Sequence, residues 1–257
     1  MTGEASAASG ARLIRLETVG STNAEAFARA RAGERGPLWI TARRQTAGRG
    51  RRGRPWVSEP GNLCASLLLT DPAPPQRAPE LSLVAALAVH DALAECAPML
   101  GSRLKLKWPN DVVCDGAKLA GILIEGESLP AGPLAVVIGI GVNCAHHPPD
   151  TAYPATNLKD AGAVVSPESL APALAAAMDR RLIEWERGAN FAATRAAWLK
   201  RAAGLGAPAR VRLPERDLEG IAETLDESGR LVLRLADGAR ERIAAGEMFP
   251  LAAPVRA

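Results

Sequence analysis

The chain has 257 residues, of which 47% are hydrophobic and 23% charged, and its formal net charge is +3. These values are typical of a globular protein with one large core, or with a main domain and a small appendage. The small net charge does not indicate a broad nucleic-acid-binding face, so the positive charge that matters is local. No apolar run approaches the ~20 residues that a membrane helix needs, and the start has no secretory pattern. The four cysteines are widely spaced in apolar runs, so we expect reduced thiols and a cytoplasmic protein.

The first ten residues are small and polar, which predicts disorder over 1–10. Alternation over 12–16 predicts a strand, and a helical pattern follows Gly20-Ser21-Thr22-Asn23. Thr22 and Glu25 have the spacing of a capping box. Hydroxyls and an amide at a helix N-terminus also form a polar binding site, and the two interpretations are compatible.

A loop rich in arginine and glycine lies between two predicted strands, 38–41 and 62–70. Residues 43–54 contain six arginines and three glycines, with no acidic residue. Glycine lets the backbone approach a ligand closely, and arginine offers a planar set of donors that suits phosphate or carboxylate. The loop is not a P-loop, because no Gly-Lys-Ser/Thr follows it. The sequence therefore predicts an anionic ligand.

The middle of the chain predicts a helix over 80–96 and strands over 104–108, 112–114 and 134–142. Asp115-Gly116 is a strong hairpin signal, and Lys118 opens the strand that returns from it. The last of these strands contains Gly-Ile-Gly, but the third glycine of a dinucleotide-binding fingerprint is missing. Lone or adjacent histidines at 90, 146 and 147 do not have the clustering of a metal site.

Two helices are predicted over 167–187 and 191–201, with Trp185 and Trp198 on buried faces. After Gly206 the chain changes to short apolar runs separated by turn residues, which predicts a small all-β domain. We therefore expect a main domain over 11–204 and a small domain over 207–257.

A site with several cationic side chains and few acidic ones suits a reaction that brings two anions together, such as the attack of a carboxylate on the α-phosphate of ATP. An RNA-binding loop is the alternative from another class of function. It would need interleaved aromatic residues, and the loop has only Trp56.

Four motifs in order resemble those of the biotin protein ligases. They are Gly20-Ser21-Thr22-Asn23, Gln45-Thr46-Ala47-Gly48-Arg49-Gly50-Arg51 continuing to Trp56, Lys107-Trp108-Pro109-Asn110-Asp111 with Lys118-Leu119-Ala120-Gly121-Ile122, and Gly139 to Asn143. The resemblance extends from about Leu13 to the C-terminal region. It implies an α/β (α+β) fold with a mixed sheet and flanking helices, related to class II aminoacyl-tRNA synthetases, plus a small C-terminal Src-homology-3-like β-barrel.

The resemblance also implies the site residues. Lys118 and Arg51 would be catalytic. Biotin would be bound by Ser21, Thr22, Asn23, Gln45, Gly48, Arg49, Gly50, Arg51, Trp56, Lys118 and Gly121. ATP would be bound by Arg51, Arg54, Trp56, Lys107, Asn110, Lys118 and Asn143, and Asp111 would be a Mg²⁺ ligand.

The implied reaction joins biotin and MgATP into biotinyl-5′-adenylate, then transfers biotin to a lysine of a biotin carboxyl carrier domain. Only about a dozen residues precede the first predicted strand, so we expect no DNA-binding domain and no DNA partner. A lipoate protein ligase, which shares the fold and the adenylation chemistry, is the alternative within the enzymes. The arginine loop and the Lys-Trp-Pro-Asn-Asp motif favour biotin.

Overall fold

The computed structural model describes residues 3–6, 11–130, 132–149, 151 and 153–251. The first eight strands are Gly3–Ser6 (β1), Arg12–Val19 (β2), Leu38–Gln45 (β3), Leu63–Thr70 (β4), Leu104–Lys107 (β5), Asp111–Cys114 (β6), Ala117–Ser128 (β7) and Leu134–Val142 (β8). The helices are Thr22–Arg31 (α1), Leu81–Cys96 (α2), Pro167–Trp185 (α3) and Phe191–Leu199 (α4). Five short strands follow: Pro208–Arg212 (β9), Asp217–Leu225 (β10), Leu231–Arg234 (β11), Arg240–Ile243 (β12) and Glu247–Pro250 (β13).

A mixed sheet of eight strands forms the centre of the molecule, in the order β1-β2-β3-β4-β8-β7-β6-β5. Strands β2 and β3 are parallel, because α1 connects them and returns the chain to the same edge. The other neighbours are antiparallel, and the Asp115-Gly116 turn joins β6 to β7 as a hairpin. The fold is therefore mixed α/β, as the sequence predicts at this level.

The two faces of the large sheet are covered differently. Side chains of β3 alternate, so that Leu38 and Ile40 pack against α1 while Trp39 faces the opposite side with α2. Helix α2 packs against α3 and α4, and both Trp185 and Trp198 are buried there, as predicted. Helix α1 covers only part of the sheet face against which it packs. The uncovered part of this sheet face leaves room for a binding site.

The small sheet is antiparallel and has the order β12-β11-β10-β9-β13. Its apolar residues join the same core cluster as the helices of the large sheet. Hydrogen bonds also connect the two parts: Trp108 Nε1 donates to the Gly229 carbonyl at 3.4 Å, and Arg195 Nε donates to the Leu225 carbonyl at 2.8 Å. The small sheet is thus packed firmly on the main part of the molecule.

The structure differs from the sequence-based expectations at a few element ends. Residues 3–6 form a strand that pairs with β2, whereas disorder was expected over 1–10; the rest of that segment lies outside the described residues. Helix α3 ends at Trp185, because Glu186 and Arg187 adopt the left-handed conformation. Within the described part of the chain, no helix is both long and apolar enough to cross a bilayer.

Candidate functional site

A cavity of about 220 Å³ lies on the face of the large sheet that α1 leaves partly open. Its floor is formed by β7 and β8, one end by the start of α1, and the other end by the Lys107–Lys118 region. The rim is formed by the arginine loop and β13. Nearly all of the predicted site residues line it: Ser21, Thr22, Asn23, Gln45, Arg49, Gly50, Arg51, Arg54, Trp56, Lys107, Asn110, Asp111, Lys118, Gly121 and Asn143.

Gly48 is the predicted site residue that does not line the cavity. It lies behind the wall, where a Cβ atom would come within 2.9 Å of the Gln45 side chain and 2.8 Å of Ser58 Oγ. Its effect on the site is therefore to let the loop backbone pack closely against Gln45.

The end of the cavity beside α1 is neutral and rich in hydrogen-bonding groups. Ser21, rather than Thr22, is the N-cap of α1, and its hydroxyl accepts from the Ala24 amide at 3.4 Å. The expected capping box is not formed: the Thr22 hydroxyl lies 3.0 Å from Gln45 Oε1, and Glu25 binds Arg29. The Thr22 side chain is thereby turned toward the cavity instead of closing the helix.

A buried serine extends this neutral network. Ser66 on β4 is fully buried, and its Oγ lies 2.6 Å from Asn23 Oδ1 and 2.7 Å from Thr22 Oγ1. Asn23 Nδ2 in turn donates to Glu125 Oε2 at 2.8 Å. Each polar group at this end therefore has a fixed partner, which is what burial requires.

The arginine loop is an ordered turn with internal hydrogen bonds. The Gly50 amide donates to the Arg54 carbonyl at 2.7 Å, and the Trp56 amide donates to the Gly48 carbonyl at 2.9 Å. Its arginines are held by groups outside the loop. Arg49 binds Glu125, while Arg51 donates to Asn110 Oδ1 at 3.2 Å.

The small sheet also holds this loop. Arg51 donates to the Gly246 carbonyl at 3.0 Å, Arg52 donates to the Arg212 carbonyl at 3.3 Å, and Arg54 forms an ion pair with Glu247. The cavity rim is therefore built by both parts of the molecule.

The opposite end of the cavity is cationic. Lys118 Nζ lies 2.6 Å from Asp111 Oδ1, and Lys107 Nζ lies 3.8 Å from Asp111 Oδ2. Burial lowers the pKa of Lys107, with Lys118 and Arg51 acting in the same direction and Asp111 opposing them. Burial likewise lowers the pKa of Arg51. One carboxylate thus balances three cations, so this end is suited to an anion.

The backbone of Lys118 is held from both sides. Its amide donates to the Pro154 carbonyl at 2.7 Å, and its carbonyl accepts from the Thr156 amide at 2.9 Å. Asn143 secures the same segment, because its Nδ2 donates to the Thr156 carbonyl at 2.9 Å. These contacts fix the Lys118 side chain relative to the sheet.

Two glycines of β8 provide space on the floor of the cavity. A Cβ atom at Gly139 would overlap the Asn23 amide, and one at Gly141 would overlap the Trp56 ring. The Trp56 indole lies over Gly141, and Lys118 Nζ is 5.6 Å from the ring centroid. The Gly-Ile-Gly pattern in β8 therefore permits close packing over the floor, which is a different role from a dinucleotide fingerprint.

Sequence reasoning missed several residues of the site. Lys107 Nζ lies 3.9 Å from the Tyr153 ring centroid and 5.9 Å from that of Phe249, so two aromatic rings from distant parts of the chain face one ammonium group. Tyr153 is the only tyrosine in the sequence, but no local pattern distinguishes it. Ser66 and Glu125 were also missed, because their partners are far away in sequence.

The described residues around the cavity do not by themselves supply the ligands of a resident metal ion. Within the described residues there is no group of three His, Cys, Asp or Glu side chains that could hold an ion. The carboxylate of Asp111 faces two lysines, and that of Glu247 binds Arg54. A single carboxylate fits Mg²⁺ only where phosphates and water supply the other ligands.

A cavity with a neutral hydrogen-bonding end and a cationic end suits a small-molecule enzyme site for ligands with negative charge at one end. Comparisons with known proteins identify the family. Residues 19–143 match the Biotin/lipoate A/B protein ligase family, and residues 204–249 match the Biotin protein ligase C terminal domain.

Individual relatives agree with this result. The chain is 43% identical over 244 residues to a biotin–[acetyl-CoA-carboxylase] ligase of Paracoccus denitrificans, covering 91% of this chain and 98% of that one. It resembles the biotin protein ligase of Aquifex aeolicus in complex with biotin and ATP, with a TM-score of 0.75 at 28% identity, covering 92% and 97% of the two chains. The Leishmania major enzyme in complex with biotinyl-5-AMP gives a TM-score of 0.61 at 29% identity, covering 91% and 98%. The chain belongs to the Biotin/lipoate A/B protein ligase family, and within it to the biotin protein ligases.

Proposed function

We propose that the chain is an ATP-dependent biotin protein ligase that converts biotin to biotinyl-5′-AMP and transfers it to a lysine of a biotin carboxyl carrier domain. The observation that carries this proposal is the polarity of the cavity. Biotin has a neutral cyclic urea at one end and a carboxylate at the other. The cavity offers a neutral polar end beside Thr22 and a cationic end beside Lys118.

The neutral end favours biotin over lipoate. Thr22, Asn23 and Gln45 line it with amide and hydroxyl groups, and Ser66 supports them from below. The urea of biotin can satisfy such groups, whereas the dithiolane ring of lipoate has only weak acceptors. A site built to hydrogen-bond its ligand rejects an analogue that leaves its buried polar groups unpaired.

We assign roles to the remaining residues on the same basis. Biotin is held by Ser21, Thr22, Asn23, Gln45, Arg49, Gly50, Arg51, Trp56, Lys118 and Gly121, with Gly48 supporting Gln45. ATP is held by Arg51, Arg54, Trp56, Lys107, Asn110, Lys118 and Asn143. Lys118 and Arg51 are the catalytic residues, because they lie where carboxylate and phosphate would meet.

In the first step, a carboxylate oxygen of biotin attacks the α-phosphorus of ATP, and the bond to the β-phosphate oxygen breaks to release pyrophosphate. The two anions repel each other. Lys118 and Arg51 reduce that repulsion and stabilise the charge on the α-phosphate as the new bond forms. Lys107 adds a third positive charge, and its position over Tyr153 keeps its ammonium group at the cavity wall.

In the second step, the amine of the acceptor lysine attacks the acyl carbon, the bond to the phosphate oxygen breaks, AMP leaves, and the nitrogen loses a proton. The ordered arginine loop covers the cavity rim with Trp56 beneath it. We propose that this cover limits the access of water to the mixed anhydride.

Mg²⁺ fits this site as an ion that enters with ATP. It would be held mainly by phosphate oxygens and water, with Asp111 supplying one carboxylate oxygen. When bound, it would neutralise part of the charge on the phosphates. Asp111 would then have a second function, since it also positions Lys118 and Lys107.

We further propose a catalytic domain over 11–204 and a small domain over 207–257. Two separate sheets and two separate family matches support this division. In the small sheet the last strand, β13, lies beside the first, β9, which suits a Src-homology-3-like barrel.

We also propose that the large sheet is related to that of class II aminoacyl-tRNA synthetases. In addition, we propose that the protein is cytoplasmic, and the buried free thiols of Cys64, Cys114 and Cys144 support this location.

The test of this function is the formation of products from defined substrates. The purified chain is incubated with biotin, MgATP and a carrier domain, and pyrophosphate release and carrier mass are measured. Pyrophosphate release that depends on biotin, together with the mass of one biotin on the carrier, is expected. Pyrophosphate release with lipoate but not with biotin would refute the biotin assignment, and release with neither would refute a ligase.

A further inference from the structure

A continuous chain of hydrogen bonds runs beneath the neutral end of the cavity. It passes from Glu125 to Asn23, then through Ser66 and Thr22 to Gln45. Glu125 lies on β7 and does not line the cavity. It contacts the first amide of the chain and, at 3.1 Å, the guanidinium of Arg49.

The direction of this chain depends on the type of group at its end. An ionised carboxylate only accepts hydrogen bonds, so Asn23 must turn its Nδ2 toward Glu125 and its Oδ1 toward Ser66. Ser66 has one hydrogen and donates it to that oxygen at 2.6 Å. Because that hydrogen is used, the 2.7 Å contact between Thr22 Oγ1 and Ser66 Oγ requires the Thr22 hydroxyl to donate to Ser66, and Gln45 Oε1 accepts from the Thr22 amide at 2.8 Å. The donors and acceptors of this wall therefore have a single arrangement.

A neutral amide in place of Glu125 would allow a second arrangement. It could donate to Asn23, whose amide could then reverse and place Nδ2 toward Ser66. Ser66 would accept that hydrogen bond and donate to Thr22 Oγ1 instead, at the 2.7 Å separation already present. The atoms that Asn23 presents to the ligand would be exchanged.

From this geometry we propose that Glu125 is a positioning residue for substrate specificity: its carboxylate fixes the Asn23 amide and thereby selects a cyclic urea over analogues with other donor and acceptor patterns. The inference deepens the proposed function and rests on it. Glu125 touches no substrate in this role. It acts through Asn23, which lines the cavity.

The chain provides a matched control two residues along the same strand. Glu127 lies on the same face of β7 and binds the far end of α1, where Arg31 donates to it at 2.7 and 2.6 Å. The exposed fractions of the two side chains are similar, 28% for Glu125 and 34% for Glu127. Glu127 has no contact with the network of Asn23 among the described residues. Glu127→Gln therefore removes a comparable link between β7 and α1 without changing the wall of the cavity.

The experiment measures the dissociation constants of biotin and of 2-thiobiotin, an uncharged analogue in which sulfur, a weak hydrogen-bond acceptor, replaces the urea oxygen, by calorimetry without ATP. For Glu125→Gln, we expect biotin to bind about tenfold more weakly, while thiobiotin changes little, so that the selectivity ratio falls about tenfold. For Glu127→Gln the ratio should stay within about twofold of wild type. Both ring systems are uncharged, so the change in net charge that follows the loss of the carboxylate and the release of Arg49 enters both constants alike.

Thermal unfolding of both variants accompanies the titrations. Equal weakening of both ligands in Glu125→Gln, with an unchanged ratio, would overturn the inference and leave Glu125 as a structural residue. So would an equal fall of the ratio in Glu127→Gln. If Glu125→Gln does not fold, the biotin to thiobiotin ratio is measured for Ser66→Ala, which removes the hydroxyl that donates to Asn23 Oδ1 and holds the amide in its orientation. There too an unchanged ratio would overturn the inference. Failure of the wild type to form biotinyl-5′-AMP would instead refute the proposed function, whatever the ratio.

Discussion

Replacing Lys118 by methionine keeps the length of the side chain and removes its charge. In the structure this ammonium group lies 2.6 Å from Asp111 Oδ1, and 30% of the side chain is exposed, compared with 7% for Lys107. Lys118 is thus the cation of this pair that a ligand can reach. If it meets the charge that forms on the α-phosphate, its loss should slow adenylate formation by about two to three orders of magnitude, or about 2.7–4 kcal/mol.

The fold should tolerate this change. Asp111 keeps Lys107 as a cationic partner in the variant, and the repulsion between the two ammonium groups disappears. The lost ion pair is partly exposed, so we expect a stability loss of about 1 kcal/mol or less. For a protein of this size, that corresponds to a decrease in Tm of about 2–4 °C.

Single-turnover adenylation is the suitable assay, because it separates chemistry from product release. Biotinyl-5′-AMP is quantified after rapid mixing of enzyme with biotin and MgATP, and biotin affinity is measured separately by calorimetry. Lys105→Met serves as the matched control, since Lys105 lies on β5, two strands from β7 in the same sheet, but does not line the cavity. An unchanged adenylation rate in Lys118→Met, or a loss of rate explained entirely by weaker biotin binding, would refute the reasoning.

Three further predictions concern the floor of the cavity, its cationic end and the arginine loop at its rim. Gly141→Ala should displace the Trp56 ring and weaken ATP binding at least about tenfold, while biotin binding measured by calorimetry changes less. Burial lowers the pKa of Lys107, and binding of phosphate raises it again, so ATP binding should take up protons at alkaline pH. As the pH rises, ATP affinity should therefore begin to decrease at a pH lower than about 10.4, the ordinary pKa of lysine, and Lys107→Arg should move this decrease to higher pH. Glu247→Gln should release Arg54 and accelerate tryptic cleavage of the loop, and unchanged cleavage would contradict the anchoring role.

The sequence predicts the parts of the site that depend on local patterns. The hairpin at Asp115-Gly116 places Asp111 and Lys118 on paired strands, and both can be read from the turn and the alternation on either side. The arginine loop is visible as a cluster of one residue type. In these cases neighbours in sequence are neighbours in space, so local chemistry is sufficient.

The neutral end could not be predicted in the same way. Glu125 and Asn23 are 102 residues apart, and Ser66 and Asn23 are 43 apart, so only the order of strands in the sheet brings them together. The capping box failed for a related reason. Thr22 has the right spacing, but tertiary hydrogen bonds to Gln45 and Ser66 take its hydroxyl, and Ser21 caps the helix instead.

The arrangement of the arginine loop explains why a small second sheet belongs to this enzyme. Arg51, Arg52 and Arg54 are close in sequence, and the nearby charges of Arg52 and Arg54 lower the pKa of Arg51 further. The backbone carbonyls of Gly246 and Arg212 accept hydrogen bonds from Arg51 and Arg52 without carrying a formal charge. They hold these arginines in place while leaving their positive charge available to the anionic parts of the substrates, whereas Arg54 forms a direct ion pair with the Glu247 carboxylate. The neutral end has no such contact with the small sheet among its described hydrogen bonds. Changes in the small sheet should therefore affect the binding of nucleotide, and the transfer that follows, more than recognition of the urea ring.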